Sequence, residues 1–216
     1  MLMENSINIA QLQIILELSK KAVVKISKKG CFGSGFLCLV YLSEFKLLPV
    51  LISNNHLLNE NDIIVGKKID FSLNNDKSFY QILIDESRKV YTSSLYDVTF
   101  IEIKEKDGLS ISSFLEIDRN IFSFDERELN NKQVSLLSYP MGKKLEFSNG
   151  MIKKLAEDGY HIYHLCSTTS GCAGGPIIDL KNNHVIAVHQ GSNEKNHFNI
   201  GIFLKKPLEE FRKINN

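Results

Sequence analysis

Most of this chain is written in short apolar runs broken by polar clusters, and only its two ends depart from that rhythm. Residues 6 to 20 hold helix formers with apolar side chains spaced three and four apart. Asn5 or Ser6 stands where an N-cap belongs, so a helix packed across the outside of a barrel is expected there. From Ala22 the runs become short, β-branched and bounded by turn residues, which predicts strands at 22–26, 35–40, 47–52, 63–65, 80–84 and 98–103. Charge and turn formers dominate about 104–130. A second set of strands is expected at 134–138, 144–147, 151–155, 160–165, 175–180, 185–189 and 199–204, followed by a short helix from Pro207 to Ile214. Short strands at this density predict antiparallel barrels. The expected organisation is an N-terminal helix (1–21), a first barrel (22–110), a link (111–130) and a second barrel with a terminal helix (131–216).

Composition removes several function classes. The chain has 216 residues, 43% hydrophobic and 24% charged, which suits a folded unit or two small barrels sharing a cleft. A net charge of +1 gives no bulk attraction to nucleic acid or anionic lipid. No phosphate loop, basic stripe or aromatic platform is present, so no nucleic-acid partner is expected. No apolar run reaches the ~18 residues of a membrane span, and the first residues lack a basic-then-apolar leader, so neither membrane nor secretion signal is expected. His161, His164 and Cys166 lie close together, but no Cys-x-x-Cys pair supports them, so no metal and no other cofactor is expected.

The densest chemistry lies in Ser167-Thr168-Thr169-Ser170-Gly171-Cys172-Ala173-Gly174-Gly175-Pro176. A loop that aims two backbone N–H groups at one point needs residues free to take unusual φ/ψ, and glycine supplies them. Two convergent N–H groups make an oxyanion hole, assigned here to Gly171 and Ala173. His56 ends a polar turn after the apolar run Leu51-Ile52, and histidine is the side chain best suited to a general base near neutral pH. Asp97 opens the apolar strand Val98-Thr99-Phe100-Ile101, where a carboxylate is costly without a partner.

The Gly-x-x-Gly-Gly-Pro frame resembles the nucleophile loop of trypsin-like peptidases of the chymotrypsin fold. Gly171, Gly174, Gly175 and Pro176 match it, with Cys172 in the place of the usual aspartate. Ser53-Asn54-Asn55-His56 is similar to the family's histidine motif, and Asp97-Val98-Thr99-Phe100-Ile101 to its aspartate motif. The order His, Asp, nucleophile is the one this fold uses. The resemblance spans about residues 22 to 205. It implies an all-β-dominated fold of two six-stranded antiparallel barrels flanked by an N-terminal and a short C-terminal helix. It also implies endopeptidase chemistry with a catalytic set of His56, Asp97 and position 173. His56 lacks the neighbouring cysteine of the secreted enzymes, so Cys31, Cys38, Cys166 and Cys172 are expected as free thiols in the cytoplasm or a host cytosol.

Ala173 occupies the nucleophile position and cannot attack a carbonyl. Two explanations stand: an engineered Ser→Ala or Cys→Ala change, or a natural pseudoprotease that binds a peptide without cutting it. Cys172 is expected to be buried rather than a substitute nucleophile. By the resemblance, Ser167 lies at the base of the primary pocket, Thr168 on one wall and His189 on the other. That arrangement is similar to glutamyl endopeptidases and to picornaviral processing proteases, and implies a preference for Glu or Gln before the scissile bond. Residues His189, Gln190 and Gly191 are expected to receive the protein or peptide substrate as an added β-strand. Oligomeric state is left open.

Overall fold

The computed structural model describes residues 9–28, 30–193 and 198–215. Helix α1 (Ile9–Ala22) buries Ile15, Ser19 and Ala22, one face at spacings of four and three, against the first sheet. The predicted residues 6–8 of that helix lie outside the described residues. The first half then runs through β1 (Val23–Lys28), β2 (Cys31–Ser43), β3 (Lys46–Ser53), β4 (Lys68–Leu73), β5 (Ser78–Leu83), β6 (Val90–Ser93) and β7 (Val98–Glu102). The link contributes β8 (Leu115–Glu116) and a one-turn helix α2 (Glu126–Leu129), capped reciprocally by Asp125 and Glu128. The second half holds β9 (Gln133–Ser138), β10 (Glu146–Leu155), β11 (His161–His164), β12 (Pro176–Asp179), β13 (Val185–Asn193) and β14 (Phe198–Phe203), and ends in α3 (Lys205–Asn215).

The second half is the six-stranded barrel expected, closed in the order β10-β11-β14-β13-β12-β9 with every pair antiparallel. The first half differs from a closed six-stranded barrel. Its strands run β5-β4-β1-β2-β3-β7-β6 in one curled sheet, and β8 adds in parallel to β2. Buried side chains from both halves form one apolar core, to which α3 contributes Leu208 and Phe211. No helix among the described residues is long and apolar enough to cross a membrane.

Two local expectations fail for physical reasons. Ile63-Ile64-Val65 is a turn, with Ile64 and Val65 more than half exposed. The Ile64 carbonyl accepts from the Lys67 N–H at 2.9 Å, a local turn bond in place of a ladder bond, and the preceding turn is fixed by the Asn59 and Asp62 side chains, which accept from the Asn61 and Asn59 N–H groups. The strand lies just beyond, where Ile69, Phe71 and Leu73 alternate into the core. The second failure concerns 144–147 and 151–155, which are one strand, β10, rather than two. Its first part pairs with β9 and its last part with β11. Gly150, which reads as a break, marks the corner: a Cβ there would lie 2.5 Å from the Cys166 nitrogen.

Candidate active site

The cleft between the halves has a volume of about 420 Å³ and is lined by residues from both, among them His56, Thr168, Gly171, Ala173, His189 and Gly191. His56 follows β3 in a tight turn in which the Asn54 carbonyl accepts from the Leu57 and Leu58 N–H groups. Asp97 closes the four-residue turn between β6 and β7, in the left-handed region at φ +47°. Its carboxylate takes two bonds from His56: Oδ2 lies 2.8 Å from Nδ1, and Oδ1 accepts the backbone N–H at 2.9 Å. The Asp97 side chain is 13% exposed and that of His56 48%. The carboxylate is therefore shielded while the imidazole remains open to the cleft. Asn54 adds a third tether, its Nδ2 donating to the Asp97 carbonyl at 2.9 Å.

The loop carrying Ala173 is held by backbone contacts that only glycine permits. Gly174 sits at φ +86°, and a Cβ there would stand 1.9 Å from the Ser34 carbonyl oxygen. Gly171 sits at φ +90°, and a Cβ there would stand 2.7 Å from the Tyr139 carbonyl oxygen. Ser34, on β2, ties the loop to the first sheet. Its N–H donates to the Ala173 carbonyl at 2.7 Å, its hydroxyl donates to the Gly171 carbonyl at 2.9 Å, and that hydroxyl accepts from the Tyr139 N–H at 2.9 Å. Ser53 donates to the Ser34 carbonyl at 2.8 Å. Neither Gly171 nor Ala173 spends its N–H on a bond among the described residues. Those two donors are available to a developing oxyanion. Cys172 is buried, with its sulfur 3.5 Å from the Thr169 nitrogen.

Beside the loop, two histidines meet edge-on in the barrel wall, their ring planes at 81°. His164 Nε2 lies 3.1 Å from His189 Nδ1, and His164 Nδ1 accepts from the Cys166 N–H at 3.3 Å. A ring nitrogen that accepts carries no proton, so His164 donates from Nε2 and His189 keeps its own proton on Nε2. Burial lowers His164 to about 3, with His189 adding to the effect. Burial likewise lowers His189 to about 4; a backbone hydrogen bond with Ile200 works the other way, and His56 adds a further lowering. Both rings are neutral at pH 7. Thr168 donates its hydroxyl proton to Asn199 Oδ1 at 2.7 Å, and Asn199 Nδ2 donates to the Cys166 carbonyl at 2.6 Å.

Two sequence-predicted pocket residues stand elsewhere. Ser167 is exposed, its N–H donates to Ser148 Oγ at 2.6 Å, and it does not line the cleft. Gln190 falls in the bulge where β13 shifts register between His189 and Gly191, so it too is absent from the lining. Cys31, Phe32, Leu57, Thr169, Ser170 and Ser192 line the cleft without having been expected. Gly33-Ser34-Gly35 carried the missing signal: glycines flanking a serine on an apolar strand mark a close backbone approach. His161 binds Asp158 at 2.7 Å, apart from the His164–His189 pair. All four cysteines are free thiols. No cluster of three or more metal-ligating side chains forms among the described residues.

Solved structures of other proteins share this fold. Two solved structures superpose with most of the chain. A serine endoprotease from Yersinia pestis is 14% identical, with a TM-score of 0.66, covering 96% of this chain and 68% of that one. An inactive serine-to-alanine mutant of Rv3671c from M. tuberculosis H37Rv is 17% identical, with a TM-score of 0.64, covering 97% and 95%. At these identities the likeness is one of fold. No curated protein matches the sequence. A family model does match, over residues 33–188, from the glycine before Ser34 to Val188 within β13. On that match, this chain belongs to the trypsin-like peptidase domain family.

Proposed function

We propose that the protein is a serine endopeptidase and that Ala173 holds this chain in an inactive form, as a replacement for serine. The observation that carries the reading is that His56, bound from behind by Asp97, opens into the cleft that Ala173 also lines. A hydroxyl at position 173 would attack the scissile carbonyl. His56 takes its proton on Nε2, the ring nitrogen opposite Asp97, and later returns it to the leaving amine. Asp97 fixes the tautomer and stabilises the imidazolium. The Gly171 and Ala173 N–H groups receive the oxyanion.

The pocket wall supports a preference for Glu or Gln before the scissile bond, with Gln ahead. His189 carries its proton on a neutral Nε2 that the Ile200 backbone shares, and it would act as a donor by giving up that bond to substrate. Thr168 has spent its proton on Asn199 and presents lone pairs, an acceptor. A glutamine amide offers one of each in return. A glutamate carboxylate only accepts, and would meet the Thr168 lone pairs unless that hydroxyl gave up Asn199. Gly191 and its neighbours on β13 would pair with the substrate as an added strand.

Ala173 itself favours one rival reading, a natural binding module that keeps the cleft and clasps a peptide uncut. Restoring the nucleophile by Ala173→Ser separates the two. Both forms are incubated with a denatured protein mixture and the new termini are sequenced. Cleavage by the serine form alone supports the peptidase, with glutamine ahead of unlike residues by ~10²–10⁴-fold in kcat/KM on a matched peptide panel. Equal cleavage after Lys, Phe or Leu sinks the pocket assignment. No cleavage by either folded form supports the binding module.

A further inference from the structure

Immediately before Asp97, the turn is gripped from the far end of the chain. Glu210, on α3, accepts the Tyr96 hydroxyl on Oε1 at 3.0 Å and the Tyr91 hydroxyl on Oε2 at 2.9 Å. Both tyrosines are buried, at 7% and 6% exposure. Tyr91 lies on β6, one strand of the hairpin whose turn ends in Asp97. The helix is seated beside them by Phe211, whose ring meets Phe100 edge-on at 5.1 Å and Tyr91 at 6.0 Å. Tyr96 also meets Tyr160 of the second barrel edge-on at 5.0 Å. We infer that Glu210 and Tyr96 are positioning residues for the candidate catalytic pair: the α3 carboxylate fixes the turn that holds Asp97 against His56.

The physical need is local. Asp97 sits at φ +47°, a left-handed conformation that aspartate tolerates at a modest cost, so the tethers on either side of it decide where its carboxylate points. Asn54 restrains the turn on the carbonyl side of Asp97 and Tyr96 on the amide side. Burial, with the Glu210 carboxylate beside it, pushes both phenols up, so they stay donors throughout the neutral range. A carboxylate can accept both bonds at once, one on each oxygen. A glutamine has one accepting oxygen, so it keeps one bond as it is and can hold the other tyrosine only by donating to it.

The inference rests on the peptidase reading for its kinetic consequence but not for its first test. In the Ala173 chain, the proton on His56 Nδ1 is followed by NMR as a low-field ring N–H resonance. Glu210→Ala and Tyr96→Phe are expected to move or lose that resonance, Glu210→Gln to do so less, and Tyr91→Phe to leave it in place. In the Ala173→Ser background the first two variants are expected to lower kcat ~10–100-fold with KM unchanged, the scale of a small misplacement of a reacting group. Circular dichroism checks that α3 remains folded, and Tyr96→Phe, one hydroxyl removed, covers the case in which Glu210→Ala does not fold. An unchanged His56 resonance in folded Tyr96→Phe overturns the inference. So does an equal response from Tyr91→Phe and Tyr96→Phe, which would make the effect one of packing. If Ala173→Ser proves inactive while the resonance responds as expected, the peptidase reading fails and the positioning role stands.

Discussion

Gly174→Ala separates two reasons for which a position demands glycine. Gly174 and Gly108 both have positive φ, at +86° and +74°. Around Gly108 a Cβ would meet nothing within 4 Å, whereas at Gly174 it would stand 1.9 Å from the Ser34 carbonyl oxygen and 2.6 Å from Ser53 Oγ. The left-handed conformation costs an alanine ~1–2 kcal/mol at either site. Only at Gly174 must backbone also move, because a carbonyl cannot swing aside as a side chain can. The displaced Ser34 is the residue whose N–H holds the Ala173 carbonyl at 2.7 Å and whose carbonyl holds Ser53 at 2.8 Å. Losing those two bonds costs ~0.5–1.5 kcal/mol each. Gly174→Ala is therefore expected to cost ~2–5 kcal/mol and Gly108→Ala ~1–2 kcal/mol, against a total stability of ~5–15 kcal/mol. For a chain of this length that is ~4–20 °C in Tm for the first. Thermal melts followed by far-ultraviolet circular dichroism read both variants, since the chain has no tryptophan. Equal shifts for the two would refute the collision and leave only the backbone conformation.

Two further outcomes concern buried charge. Arg88 is fully buried and grips Asp107 with two bonds of 2.7 and 2.8 Å; removing either partner strands the other, and Arg88→Ala is expected to cost ~3–5 kcal/mol in urea denaturation. Burial alone would raise the Asp107 carboxyl, but the Arg88 bonds reverse this and hold it below its ordinary value of 3.8. Its stabilisation is thus complete above the unfolded value and disappears as pH falls through the folded one, and Asp107→Asn should remove that part of the acid dependence. His164 is lowered from 6.5 to about 3, so between those limits the unfolded chain binds the extra proton and stability rises with pH. Denaturation midpoints measured from pH 6.5 downward should therefore steepen by ~1.4 kcal/mol per pH unit for this group, and His164→Phe should flatten the curve by that amount. An unchanged slope would mean that the ring is charged in the folded protein.

The residues that needed only short-range chemistry were readable from the chain. Gly171, Gly174 and Gly175 are spaced as a tight loop requires, and His56 and Asp97 each end or open an apolar strand, so their setting could be seen within a few residues. The second barrel was legible for the same reason: most of its strands are β-branched runs between turn formers. What the sequence did not disclose depends on partners far along the chain. Gly150 looks like a break, but β10 continues through it because β9 and β11 take over its hydrogen bonds in turn. Ile63-Ile64-Val65 has strand composition and is a turn, in which the Ile64 carbonyl is satisfied by the Lys67 N–H rather than by a neighbouring strand. Ser167 and Gln190 left the cleft through a contact with Ser148 and a bulge in β13, neither of which local pattern encodes.

By itself, then, the sequence determined the β-rich class, the loop that carries Ala173 and the identity of the pair facing it. These follow from backbone conformational limits and from which side chains can hold a proton, both properties of single residues and their near neighbours. Only the tertiary structure decided that the first half is an open curled sheet, that Ser34 joins the two halves under the loop, and that α3 returns Glu210 to the turn beside Asp97. Those are contacts across the fold, between residues far apart in the chain, 137 positions in the case of Ser34 and Gly171. Such contacts are selected by the shared burial of the two halves, which no local pattern of residues records.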